Sequence, residues 1–206
     1  MLRRTFVRNA ALSVGSLILP KIANAAQSCT AAMQTPYGAM QRCTAGIQSF
    51  DFQRAYGTQQ ASEWCWAVCI SMVFSYYGHP VSQARIVAET WGQVVNMPGQ
   101  PTDILRDLNR VWRDDNGDTF RSVGDAFSAN GFNAIADLQN DQPLIIGSGG
   151  HATVLTALTS DINLQTGAWQ VVEAVVRDPW PTSGGRRSLS PQEWANIMFA
   201  ARVRVL

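Results

Sequence analysis

Residues 59–80 read QQASEWCWAVCISMVFSYYGHP, and this stretch decides how the rest of the chain is understood. Ser62 is a helix-capping residue type, and after it Cys65, Cys69, Met72, Val73 and Tyr76 recur at helical spacing. Gly78 and then His79-Pro80 end the pattern. The spacing predicts a helix over Ser62–Tyr77 with Cys65 in its first turn. Backbone N–H groups there lack intrahelical partners and the helix dipole is positive, so a thiolate is stabilised. Cys65 is therefore a candidate nucleophile. Cys69, one turn further in, reads as a buried core thiol.

A nucleophilic thiol needs a base, and the chain has only two histidines. His79, beside Pro80, reads as a turn residue. His151 stands in GGHATVL, residues 149–155, at the start of an apolar strand. The general base is therefore expected at His151.

The elements around this pair follow from pattern. Ile47, Phe50 and Phe52 suggest a short extended segment leading to Gln59. Helices are predicted over Ser82–Trp91 and Thr102–Trp112, capped by Ser82 and Thr102, and over Ser122–Asn130, closed by Gly131. Asp114–Asp118 is a turn; it lacks the ligand spacing and the final glutamate of a calcium loop. Strands are then predicted over Pro143–Gly147, Ala152–Leu158 and Trp169–Val176. A short helix over Leu189–Met198 has Ser190 as cap and Pro191 at its first position. The tail Ala200–Leu206 alternates as a closing strand. Helices first and strands later make an α+β fold, with a helical N-terminal half and an antiparallel C-terminal half.

Gln59 lies six residues before Cys65, and Trp66-Ala67 follow it. Gln-x5-Cys-Trp-Ala resembles the nucleophile motif of papain-like cysteine peptidases. The resemblance implies their fold over residues 47–206. It also implies an oxyanion hole made by the Gln59 side chain and the Cys65 N–H. His151 on a strand, approached through small residues, is similar to the family's base. The family's third member orients the imidazole, and Asp178 in Arg177-Asp178-Pro179-Trp180 occupies that place. Trp180, two residues on, matches the tryptophan that covers the histidine contact from water. Asp where the family often has Asn is similar to the bacterial branch, including peptidases that trim double-glycine leaders and papain-like effector proteases. Two features depart from the pattern. Thr159–Ala168 reads as an insertion between His151 and Asp178, and residues 26–46 read as an irregular arm without a counterpart. The implied activity is hydrolysis of peptide or amide bonds in a peptide or protein. The same constellation serves amidases, deamidases and transamidases. A non-catalytic binding domain on the same fold is the alternative of another class; it would lack Gln59, Cys65 or His151, and all are present.

Residues 1–25 read as an export signal. Arg3, Arg4 and Arg8 precede an apolar run from Ala10 to Leu19, and Ala23-Asn24-Ala25 offers a cleavage site. Arg3 to Arg8 resembles the twin-arginine motif, with an ordinary secretory signal as the alternative. The expected destination is the periplasm or the medium. The full chain carries 16 basic and 15 acidic residues; losing Arg3, Arg4, Arg8 and Lys21 leaves 12 against 15, a net charge of −3. No basic run marks nucleic-acid or anionic-membrane binding, and no mature segment is long and apolar enough to span a membrane. Cys65, Cys69 and the two histidines lack a zinc spacing, and no cofactor or metal is implied. With Cys65 reserved for chemistry, Cys29 and Cys43 are the expected disulfide, closing a ring of about 15 residues worth roughly 3 kcal/mol. Sequence leaves open a bond from Cys69 to either of them.

Overall fold

The computed structural model describes residues 26–127, 131–183 and 185–206. The export signal at residues 1–25 lies outside them. One strand organises the molecule. β7 (His151–Asn163) runs 13 residues and is paired on both edges. Along one edge lies β8 (Trp169–Arg177), from Ile162 opposite Trp169 to Val154 opposite Arg177. The other edge is shared. β6 (Leu144–Ser148) pairs with residues 151–155, and β3 (Gly38–Gly46) pairs with residues 157–163. Beyond β6 the sheet continues through β10 (Ile197–Val205) and β5 (Thr119–Phe127) to β4 (Val111–Arg113). Beyond β3 come β1 (Ala26–Cys29) and β2 (Met33–Thr35), and β9 (Arg186–Ser188) extends β8. Every pairing is antiparallel.

Six helices are described: α1 (Ser49–Gln53), α2 (Cys65–Tyr76), α3 (Gln83–Trp91), α4 (Pro101–Leu108), α5 (Gly131–Gln139) and α6 (Pro191–Ala195). α2 packs on β7. It buries Trp66, Ala67, Val68, Cys69, Ile70, Met72, Val73, Phe74 and Tyr76, so it is enclosed on most of its circumference rather than on one stripe. Phe74 meets Trp112 and Phe120 edge-on, with ring centroids 5.7 and 5.1 Å apart. The fold is α+β, as read from sequence. Strands and helices are more interleaved than a helical half followed by a sheet half, because β1 to β5 all precede residue 130.

Several local readings are corrected. α2 starts at Cys65, not Ser62. Ser62 instead accepts a bond from Asn96 Nδ2 (2.9 Å), and Trp64 Nε1 donates to the Val95 carbonyl (2.8 Å), so residues 62–64 belong to a loop tied across to residues 95–96. Ile47 to Phe52 is not extended; residues 49–53 form α1, with Phe52 buried. α4 starts at Pro101 with a Gln100–Asp103 capping box. It ends early because Asn109 Nδ2 bonds both the Leu105 and the Gly124 carbonyls, sending Val111 and Trp112 into a strand. The helix expected from Ser122 is the strand β5, held between β4 and β10. Its Gly124 marks a close approach: a Cβ there would lie 2.5 Å from the Leu108 Cβ. Gly131 opens α5 instead of closing a helix.

The arm and the insertion turn out to be partners. Residues 26–46 are β1, β2 and β3, and residues 159–168 are the outer half of the β7–β8 hairpin. β3 pairs with that half from Met40 opposite Asn163 to Gly46 opposite Ala157. Cys29 and Cys43 lie directly opposite each other on β1 and β3 and are disulfide-bonded. Cys65 and Cys69 are free. Cys43 and Ala45 point inward, but such small residues give little alternating signal.

Candidate active site

Three chain segments converge: the first turn of α2, the start of β7 and the residue after β8. Cys65 opens α2, where the first N–H groups have no partner within the helix. Gly149 and Gly150 form the two-residue turn between Ser148 and His151, with φ of 58° and 81°. Two successive positive φ values are the type I′ hairpin geometry, which glycine adopts without steric cost. The turn makes His151 the first residue of β7, on which α2 packs. His151 Nε2 lies 2.8 Å from Asp178 Oδ1. That leaves Nδ1 as the nitrogen available to Cys65, which is close enough to raise the ring's affinity for a proton. The imidazole thus stands between thiol and carboxylate.

Asp178 is buried and fully engaged. Oδ1 also accepts the Trp180 N–H (2.9 Å), and Oδ2 accepts Arg187 Nε (2.7 Å). Its own N–H donates to the Gly185 carbonyl, and its carbonyl accepts from Tyr56 Oη and Ser183 Oγ. Burial alone would push this carboxyl up. The bonds from His151, Trp180 and Arg187 outweigh it and hold the pKa at about 2. For His151, burial pushes down, while the bonds to Asp178 and Cys65 and their charges bring the imidazole to about 9. The protonated ring is therefore favoured beside Cys65. Trp180 stands edge-on to the ring, centroids 6.1 Å apart.

A family model described as papain-like cysteine protease AvrRpt2 matches residues 47–195. The chain belongs to this family. It is a papain-like cysteine peptidase, and its substrate class is peptide or protein. Among solved structures, the peptidase is similar to a double glycine motif protease from an AMS/PCAT transporter, crystallised with the leader peptide. Identity is 16%, the TM-score is 0.45, and the match covers 73% of this chain and 89% of that one. It is also similar to UfSP from C. elegans, at 15% identity and a TM-score of 0.48, over 84% of this chain and 35% of that one. No curated protein matches it.

In this papain-like peptidase, Cys65, His151 and Asp178 come together. Gln59 lies close in the chain but its amide is turned into its own loop. Nε2 donates to the Ala61 and Ser62 carbonyls (3.0 and 2.9 Å), and Oε1 is buried without a partner. Both amide hydrogens are committed, so donation to a substrate oxygen requires exchange of one of those bonds. The Gln59 N–H bonds the Pro179 carbonyl (2.9 Å), which ties the entry of α2 to the Asp178 segment. His79 is elsewhere, stacked on Phe120 and bonded through Nδ1 to the buried Asp114 (3.0 Å). Cys69 is fully buried, which pushes its thiol well above the usual range, with the Cys65 charge adding to the effect.

A groove of about 630 Å³ opens over Cys65 and His151. Trp66, Pro98, Gly99, Ile104, Gly147 and Phe199 are among the residues that line it. Two arginines at the site gave no sequence signal. Arg177 is buried and bonds Gln53 and Ser49, docking α1 against the end of β8. Arg187 reaches Asp178 only because β9 pairs with β8, a register no local motif encodes. Among the described residues no group of three or more His, Cys, Asp and Glu side chains is placed to hold a metal ion, and no helix is long and apolar enough to cross a membrane.

Proposed function

We propose that the chain is an exported thiol peptidase working through Cys65, His151 and Asp178, with Gln59 and the Cys65 N–H as oxyanion donors. The observation that carries the reading is the His151 ring, bonded to an ionised, buried carboxylate and sharing one groove with the Cys65 thiol at the start of α2. Cys65 gives its thiol proton to His151, the resulting thiolate attacks the scissile carbonyl carbon, and the developing oxyanion meets the N–H groups at the start of α2. His151 gives its proton to the leaving amine as the C–N bond breaks, leaving a thioester on Cys65. It then takes a proton from water, whose oxygen attacks the thioester and releases the acid. Asp178 orients the ring and offsets its charge throughout. The Cys29–Cys43 disulfide supports an oxidising destination and hence export.

The test is digestion of a broad peptide library by the mature chain and by Cys65→Ala, with product mass spectra, alongside iodoacetamide labelling near pH 6. Cleavage lost in Cys65→Ala, with Cys65 labelled ahead of Cys69, is expected. Identical digests, or preferential labelling of Cys69, overturn the reading.

A further inference from the structure

Asp178 and its neighbours form a ring of contacts that the attack on a carbonyl does not itself require. Arg187 Nε holds Asp178 Oδ2 at 2.7 Å, while its terminal nitrogens take both Glu193 oxygens, at 3.2 and 2.8 Å. Glu193 is fixed by the capping box of α6: it accepts the Ser190 N–H (2.8 Å), and Ser190 Oγ accepts the Glu193 N–H (3.2 Å). The Glu193 carbonyl in turn accepts from Ser148 Oγ (2.7 Å), and Ser148 is the residue paired with His151 across the glycine turn. The contacts therefore close on themselves, from His151 through Asp178, Arg187, Glu193 and Ser148 back to His151.

We propose that Arg187 is a positioning residue for the Cys65–His151 pair, clamping the second oxygen of Asp178 so that the first stays aimed at the imidazole. This rests on the thiol-peptidase reading above. A carboxylate held only at Oδ1 can rotate about its Cβ–Cγ bond and trade oxygens; with Oδ2 clamped it cannot. The guanidinium fork suits the task, because one edge faces Asp178 while the other is oriented by Glu193. Glu193 also balances the charge of Arg187, so the group presents a net single negative charge toward His151. Without that balance the cation would offset the field that Asp178 exerts on the ring. The low titration of Asp178 agrees with this arrangement.

The experiment measures the rate of Cys65 alkylation by iodoacetamide against pH, and turnover on any cleaved library peptide, for wild type, His151→Ala, Arg187→Gln and Arg187→Lys of the mature chain. In Arg187→Gln the Asp178 carboxyl is expected to take up its proton at higher pH. The acid limb should then move up, and kcat should fall roughly 10- to 100-fold with KM little changed, as for lost alignment. Arg187→Lys keeps the charge without the fork, so its limb should stay at the wild-type position with an intermediate kcat. An Arg187→Gln profile that superimposes on wild type overturns the proposal. Should that variant not fold, an Arg187→Lys protein with wild-type kcat overturns it instead. Equal alkylation of wild type and His151→Ala at every pH would instead remove the thiol-peptidase reading itself.

Discussion

At its first residue β7 carries a titratable side chain held between a thiol and a buried carboxylate; at its last, Asn163 organises a neutral turn. Asn163 Oδ1 accepts the Gln165 and Thr166 N–H groups, and Nδ2 donates to the Tyr37 carbonyl. The site end draws ionised groups from separate parts of the chain and satisfies each with hydrogen bonds at partial burial, where losing a partner is costly. The far end relies on the β3 ladder, small side chains, one covalent link and an exposed ion pair, Arg42 with Asp161 (2.7 and 2.8 Å), of a kind that contributes little. The same strand thus serves two regimes: perturbation at one end should cost rate, and at the other only stability.

The sharpest way to break this contrast is at Cys65 and His151. Cys65→Ala and His151→Ala should each lower kcat/KM by roughly 10⁴-fold or more, and the double variant should be little worse, since groups acting as a unit are not additive. Additive losses in a steady-state assay would mean the two residues act separately. Gln59→Ala should cost on the order of 10²-fold in kcat if its amide exchanges a loop carbonyl for the oxyanion. An effect confined to the melting temperature would leave Gln59 as a loop anchor.

Asp178→Asn sharpens the comparison through pH. The His151 pKa of about 9 owes part of its height to Asp178, so removing that charge makes the imidazolium lose its proton at lower pH. The alkaline limb of the rate profile should move down from about 9, with a smaller loss at the optimum than for Gln59→Ala. Stability follows the same signs. The raised His151 contributes fully below its ordinary value near 6.5 and loses that contribution as pH rises through about 9. The depressed Asp178 contributes fully above its ordinary value near 4 and loses that contribution as pH falls toward about 2. At the far end, Cys29→Ser with Cys43→Ser should lower unfolding free energy by about 3 kcal/mol in a denaturant titration while leaving kcat/KM within about twofold. A large rate loss there would show that the two ends are coupled.

Much of the site end is legible in sequence because its chemistry restricts residue type. Few cysteines and histidines compete, and a helix start and a strand start can each be recognised locally. The α+β class, β6, the inner part of β7, β8 and the cap of α6 are legible from local pattern, but α6 stops at Ala195, and Ile197 and Met198, expected in that helix, open β10. β5 is not, because what makes Thr119–Phe127 a strand is its pairing with β4 and with β10, whose Ala200 lies opposite Phe127 from 73 residues later in the chain. The arm and the supposed insertion are illegible singly because each is the other's missing partner. Arg187 is illegible because its role depends on the register of β9 against β8.

The shared edge of β7 changes hands at Thr156, where the pairing with β8 also skips from Leu155 to Ala157 and the Ile47 N–H caps the Thr156 carbonyl (3.0 Å). In mechanical language this residue is an expansion joint. A one-residue slip in a continuous ladder would turn every side chain to the opposite face, His151 included. With a bulge in the strand, the ladder is interrupted between the outer hairpin and the imidazole. Variants with a shortened outer hairpin should therefore keep the aim of His151, and with it kcat/KM, while losing stability.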